Sequence, residues 1–262
     1  MQQILAVVNE KGGTGKTTTA VNIAAALAER GLGVLVVDLD PQAAASAWLG
    51  VHEPDDTLAD ALIDDASLAG AVVQGNVSGV DVIGATRRLA AAEVHLAREP
   101  GGNGILRYAL GALPSERWDL VILDCPPTLG QLSVAALTAA THVLIPVEAS
   151  IGASRALPQI LKTVESMRAR VNPSLEIVGL ALVRFESTRH AREVAALLGR
   201  RFGELLLPQV IRKTVRLQDA QLYSQPITSY DAHSGGAEDY RALSRAILAR
   251  LQVTAAVGAG AR

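Results

Sequence analysis

Short apolar runs recur along the chain: ILAVV (4–8), VLVVDLD (34–40), VDVIGA (80–85), LVILDCPP (120–127), HVLIPV (142–147) and EIVGLALV (176–183). They are rich in β-branched residues, too short for helices, and do not alternate strictly with polar positions. Each therefore predicts a strand buried on both faces. Between the runs the spacing changes. In TTTAVNIAAALAERG (17–31), Val21, Ala24, Ala25, Leu27 and Ala28 fall at helical intervals and the pattern stops at Gly31. Further helices are expected over 103–113, 131–140, 153–171 and 188–201. Strands alternating with helices predict an α/β fold, a mostly parallel twisted sheet flanked by helices on both faces. The acidic stretch HEPDDTLADALIDDA (52–66) reads as a solvated helix-and-loop excursion, and TAAVGAGAR (254–262) as a frayed end. With no internal repeat and no linker, residues 1–251 read as one domain and 252–262 as a flexible tail.

Composition narrows the class. Apolar residues make up 49% of the 262 and charged ones 19%, enough to build a large aliphatic core. A formal charge of −2 gives no bulk attraction to nucleic acid or to an anionic membrane, so either partner needs a local basic patch. The single cysteine, Cys125, excludes an intramolecular disulfide and suits a reducing cytoplasm. The amino terminus lacks the basic region and long apolar run of a signal peptide, and Pro146 and Glu148 interrupt the most apolar later stretch, so no membrane span is expected. His52, His95, His142, His190 and His233 lack ligand spacing, which predicts no transition-metal site.

The chemistry concentrates in NEKGGTGKTTTA (9–20), between the first strand and the first helix. Gly15, Lys16 and Thr17 fit the end of G-x-x-x-x-G-K-[ST], but Glu10 stands where the first glycine belongs and Lys11 follows it. Gly12, Gly13 and Gly15 let backbone N–H groups close around phosphate oxygens at a helix N-terminus, with Thr14 and Thr18 completing the cradle. Lys16 would reach the β- and γ-phosphates, and the Thr17 hydroxyl would ligate Mg²⁺. A second ammonium in the same loop adds repulsion unless more negative charge arrives. Two subunits facing each other across two nucleotides resolve this, each Lys11 crossing to the partner's phosphates as a trans arginine finger does. A solvated loop lysine is the plainer alternative.

KGGTGKTT resembles the deviant Walker A box of the ParA/MinD superfamily of ATPases, and the likeness extends to VVDLDPQ (36–42), DVIGATRRLAAAEVHL (81–96), DLVILDCPPTLGQLSVAALTAATHVLIPV (119–147), VRLQDAQLYSQPITSYD (215–231) and GGAEDYRAL (235–243). It is nearest to the ParA (Soj-like) partition proteins. The resemblance implies ATP and Mg²⁺ as cofactors, with Lys11 as the cross-dimer lysine and Asp40 as the carboxylate that orients the attacking water. Asp38 would support the loop and the magnesium's water shell, and Asp124 would hold Mg²⁺ through water. Helix capping is the alternative for any one of these acids. The resemblance also implies that Ile211 and Lys213 lie in the segment near the adenine. The family glycine of DPQG is Ala43 here, and the segment usually reading IPRN is Ile211-Arg212-Lys213-Thr214.

Residues 184–216 carry eight Arg or Lys against three Glu, a local excess that predicts sequence-independent contact with duplex phosphates. The resemblance places DNA contacts near Arg189 and at Arg216, and Arg192 and Lys213 of the same basic stretch are expected to join them. A solvated basic face is the alternative. The expected function is an ATP-dependent partition ATPase: a homodimer on binding ATP, holding non-specific double-stranded DNA, released when a ParB-like centromere-binding partner stimulates slow hydrolysis. It would be cytoplasmic and nucleoid-associated, with no membrane partner, because the tail lacks a basic amphipathic helix of the MinD kind. One cysteine is too few for the cluster of the nitrogenase iron protein. Two alternatives stay open: positioning of a non-DNA protein cargo on the nucleoid, and a metabolic ATP-dependent ligase-type enzyme. DNA and a partner would raise phosphate release in the first class, a small co-substrate in the last.

Overall fold

The apolar runs become strands wherever helices cover both of their faces. The computed structural model describes residues 2–54 and 57–251. Its strands are β1 (Gln3–Val7), β2 (Val34–Asp38), β3 (Val72–Gln74), β4 (Val80–Ile83), β5 (Leu120–Asp124), β6 (His142–Glu148), β7 (Glu176–Phe185) and β8 (Leu206–Arg212), forming one sheet in the order β3-β4-β2-β5-β1-β6-β7-β8. Pairing is parallel throughout except for β3 against β4. The expected mostly parallel, doubly covered sheet is what forms.

Side-chain alternation sorts the core into two layers. Leu5, Val7, Val34, Val36 and Ile122 face one layer, closed by α1 (Lys16–Ala28), α2 (Ala44–Trp48), α9 (Arg216–Leu222), α10 (Ile227–Tyr230) and α11 (Gly235–Leu251). Ala6, Leu35, Val37, Val121 and Leu123 face the other, closed by α3 (Leu58–Ile63), α4 (Leu89–Arg98), α5 (Ile105–Gly111), α6 (Gln131–Ala139), α7 (Ile151–Arg170) and α8 (Arg189–Phe202). Cys125 sits in this second layer as a buried filler, its thiol pushed up by burial.

The chain departs from its apolar pattern in three places. β8 was not expected, because LLPQVIR contains Pro208; the strand lies at the sheet edge, where a missing N–H is tolerated. α11 was also not expected, yet it buries Ala237, Tyr240, Leu243 and Ile247 against the sheet. Within 52–66 the solvated reading is corrected: Thr57 and Asp60 form a capping box, and α3 buries Leu58, Ala59, Ala61 and Leu62. Its acids Asp60 and Asp64 both pair with Arg88. The tail over 252–262 lies outside the described residues.

Polar clasps fix the segment from α9 to α10, which forms one wall of the cleft described below. The Trp48 indole donates to the Gln225 carbonyl at 2.7 Å, Asn76 donates to the Ser224 carbonyl at 2.5 Å, and the Ile227 N–H donates to the Asn22 side chain at 2.7 Å. The Ile227–Asn22 bond is buried, so it exchanges water for a fixed partner, and the other two anchor the segment nearer the surface.

Candidate functional site

In a parallel α/β sheet the carboxyl ends of the strands share one rim, and ligands bind there. β1, β2, β5, β6, β7 and β8 each deliver a polar residue to that rim. The loop after β1 is shaped by Gly13 and Gly15, whose φ angles of +75° and +78° lie in the left-handed region that favours glycine. Gly15 is the N-cap of α1, with no side-chain cap of its own, so its helix N-terminus is free to receive an anion. Lys16 is buried and its Nζ reaches back to the Lys11 carbonyl at 3.4 Å. Burial pulls its ammonium below the usual lysine range, opposed by Asp124, Cys125 and Asp40.

Below the loop lie two fully buried carboxylates on adjacent strands, Asp38 and Asp124, in register with each other. Their surroundings differ. Asp38 accepts from the Ser46 N–H at 2.8 Å, the Ser46 hydroxyl at 2.7 Å and the Asp40 N–H at 3.0 Å. Burial pushes it up to about 6 while those donors hold it down. Its oxygens are thus engaged in shaping the turn that carries Asp40, and the Asp40 carboxylate in turn accepts from the Gln42 N–H at 2.9 Å. Neither oxygen of Asp124 has a hydrogen-bond partner among the described residues. Burial, with Asp38 alongside, holds its carboxyl well above the usual range; Thr17 and Lys16 pull the other way. An orphaned buried carboxylate beside a hydroxyl at a phosphate loop fits a hydrated divalent cation, the group that would compensate its desolvation.

Lys11 points elsewhere. Its side chain is 58% exposed and its Nζ pairs with Glu148 at the end of β6, 2.9 Å away. Glu148 also faces Arg184 at 3.4 Å, and Arg184 donates to the Gly13 carbonyl at 2.8 Å from a left-handed backbone, φ +53°. Thr14 is buried and donates to the Lys11 carbonyl at 3.1 Å, bracing the loop.

A cleft of about 370 Å³ opens from this loop across the rim. Gly12, Gly13, Gly15, Lys16, Thr17 and Thr18 line one end, with Asp40 beside them; Ile211, Lys213, Leu217 and Tyr240 lie among the residues of the other. The volume is that of an ordinary small-molecule site. Lys11, Thr14, Asp38 and Asp124 stand behind or beside the lining rather than in it. Arg184, Glu148, Gln218, Gln221 and Tyr240 were not picked out as site residues from the sequence. Arg184 follows directly on an apolar strand run, the position from which side chains reach the rim, and was the one with a usable signal.

The basic residues divide. A groove joins 185–187, immediately before α8, to 212–215 and Gln218, so Arg189, Arg192, Lys213 and Arg216 gather around one corner. Arg200 and Arg201 lie at the far end of α8, about 16 Å or more along its axis. Even at the corner the cations have acidic neighbours: Arg189 with Glu193 at 2.8 Å, Lys213 with Glu186 at 2.5 Å, and Arg216 with Asp231 at 3.6 Å. Such exposed pairs are worth about 0–1 kcal/mol and yield readily to a better anion.

Sheet order, left-handed phosphate loop, paired lysines and strand-end acids together define a deviant Walker A nucleotide-binding protein. The chain belongs to the AAA domain family (AAA_31), whose model matches residues 2–177, and to the ParA/MinD superfamily. Among curated relatives, it is 38% identical to the sporulation initiation inhibitor protein Soj of Bacillus subtilis, over 95% of this chain and 99% of that one. It is 36% identical to the chromosome partitioning protein ParA of Caulobacter vibrioides, over 95% and 94%. Among solved structures, a cobyrinic acid a,c-diamide synthase of Mycobacterium smegmatis with bound ATP analog and magnesium superposes with a TM-score of 0.84 at 34% identity, covering 96% of each chain. Cyanothece McdA in complex with ATP gives 0.85 at 26% identity, covering 97% of each.

Proposed function

We propose that the chain is a ParA-like ATPase whose residues 1–251 act as one unit. It binds ATP with Mg²⁺ in the cleft, pairs with a second copy across two bound nucleotides, and holds duplex DNA without regard to sequence while paired. It hydrolyses ATP slowly until a ParB-like partner accelerates the step, and it works in the cytoplasm on the nucleoid. The carrying observation is the divergence of two lysines within one loop: Lys16 turns inward and is buried, whereas Lys11 turns outward onto Glu148. Lys16 covers its own phosphates, and Lys11 is free to serve another's. Its exposed pair with Glu148 is worth no more than about 1 kcal/mol, so exchange for a partner's phosphates is cheap.

Each residue has a share in the chemistry. The loop N–H groups and Lys16 bind and orient the phosphates. Thr17 and Asp124 would hold Mg²⁺, which when bound neutralises charge on the phosphate oxygens. Asp40, fixed through Asp38 and lining the cleft, orients water; a carboxylate there positions without abstracting strongly, consistent with slow turnover. Arg189, Arg192, Lys213 and Arg216 give a corner that meets phosphate backbones, and pairing two copies doubles it, so ATP raises DNA affinity by avidity.

The test uses Asp40→Ala with ATP and Mg²⁺. Size-exclusion chromatography with light scattering is expected to show a persistent dimer; single chains under saturating ATP would refute the pairing. In that background Arg216→Glu should lower duplex affinity about tenfold and flatten its salt dependence by about one to two counterions, leaving the dimer intact. The likeness to the Mycobacterium smegmatis protein favours a second reading, a corrinoid-amidating enzyme. Under that reading cobyrinic acid and an amine donor, rather than DNA and a ParB-like protein, would raise phosphate release.

A further inference from the structure

At the end of the cleft away from the phosphate loop, most polar side chains are already engaged. Arg212 is held by Asp239 through paired contacts of 2.8 Å, Lys213 by Glu186 at 2.5 Å, and the Thr214 hydroxyl accepts from the Arg216 N–H at 3.2 Å. Arg184 spans the Gly13 carbonyl and Glu148. Tyr240 is buried, with Thr19 as its hydroxyl's neighbour. Ile211 and Leu217 offer only apolar surface. Two lining residues differ: Gln218 and Gln221 are exposed to the cleft, and among the described residues no side chain pairs with either amide. They stand three apart on α9, so they share one face and present adjacent amides.

A carboxamide is both donor and acceptor, and glutamine matches the amino group and adjacent ring nitrogen of adenine in a two-point contact. Guanine carries a carbonyl where adenine carries the amino group, which leaves the glutamine carbonyl oxygen facing an acceptor. Geometry reinforces the assignment. The clasps from Trp48, Asn76 and Asn22 hold the segment following α9, so the two amides are displayed from a fixed wall rather than a loose loop.

From these observations we infer that Gln218 and Gln221 are the base-reading residues of the cleft and give it preference for adenine over guanine nucleotides. This assignment rests on the proposed nucleotide site; its own content is which side chains choose the base.

Equilibrium binding tests it without reference to turnover. Titration calorimetry with Mg²⁺ would compare ATP, GTP and inorganic tripolyphosphate on the full chain and on the Gln218→Ala/Gln221→Ala variant. Both positions are exposed and alanine favours helix, so the variant is expected to fold; an unchanged melting temperature checks this. The wild-type chain should prefer ATP to GTP by at least tenfold. In the variant ATP affinity should fall about tenfold while GTP and tripolyphosphate binding stay within a factor of two, erasing the preference. A variant that keeps the wild-type ratio of ATP to GTP affinity overturns the base-reading assignment and leaves the phosphate site standing. Loss of tripolyphosphate binding by the wild-type chain would instead overturn the nucleotide site itself, and this inference with it. Single Gln218→Ala and Gln221→Ala variants sharpen the result: each should lose part of the preference, and full retention by both would also count against the assignment.

Discussion

The two ends of the cleft are built on opposite principles. At the phosphate end Thr14 and Lys16 are buried, Gly13 and Gly15 hold left-handed turns, and the fully buried carboxylates of Asp38 and Asp124 lie beneath. At the base end the lining comes from an edge strand and a seven-residue helix, its charges are exposed, and several are paired on the surface. A preorganised, desolvated site makes each electrostatic contact strong and each substitution costly, whereas a solvated wall tolerates change and can be retuned. Under the proposed function, the chemistry is set at the first end and selectivity is adjustable at the second.

The contrast can be broken by a matched pair of lysines. Lys16→Ala is expected to weaken triphosphate binding by more than a hundredfold, while Lys213→Ala changes it by less than about threefold, because one ammonium is buried and the other sits in solvent on Glu186. Fluorescent-nucleotide titration of both decides it, and equal losses would erase the distinction between the ends.

A smaller effect separates function from stability. Asp124 is a buried carboxylate without a hydrogen-bond partner among the described residues, so Asp124→Asn should stabilise the nucleotide-free protein by about 1–3 kcal/mol in urea unfolding while abolishing its Mg²⁺-dependent stabilisation by ATP. The pH dependence follows from Asp38. Its folded-state value of about 6 lies above the ordinary 3.8, so between those values the folded chain binds the extra proton. That excess makes stability fall as pH rises through this window, by up to about 1.4 kcal/mol per unit. Asp124, also raised, acts in the same direction. Unfolding midpoints of the wild type and Asp38→Asn across the window should converge as pH falls, and parallel profiles would count against a proton-binding Asp38.

The smallest expected change concerns the turn between these acids and α2. Ala43 adopts φ +54°, ψ +35°, a left-handed conformation that costs a side chain about 1 kcal/mol. Ala43→Gly relieves it, against the greater freedom of glycine in the unfolded chain, for a net gain of about 0.5 kcal/mol. A rise in thermal midpoint of one or two degrees would register it; a loss would mean that the turn is not strained.

These differences also explain what could be read from the amino acids alone. The buried strands and the loop from Gly12 to Thr18 announce themselves because apolar runs and clustered glycines have few alternative uses. The substitution at Ala43 was visible as a departure from the family glycine, and only the backbone shows that the left-handed angle persists without it. Gln218 and Gln221 carried no signal: glutamine on a helix is ordinarily solvated, and only the fold sets α9 opposite the phosphate loop. Glu148 was noticed merely as an interruption in an apolar stretch, since its link to Lys11 spans 137 positions. The solvated reading of 52–66 failed because acidic residues outnumbered the apolar face they flank. Charge counting likewise merged two ends of α8 that the helix keeps apart.

The sheet's borders carry a further consequence. On one side it ends in a three-residue antiparallel strand, on the other in a strand bearing Pro208. Neither margin offers a long, flat row of free amides for another molecule to zip onto. Growth by ribbon-to-ribbon stacking is thereby discouraged on both flanks. Under the proposed pairing, copies would meet at the loop-bearing rim rather than along the margins of the sheet.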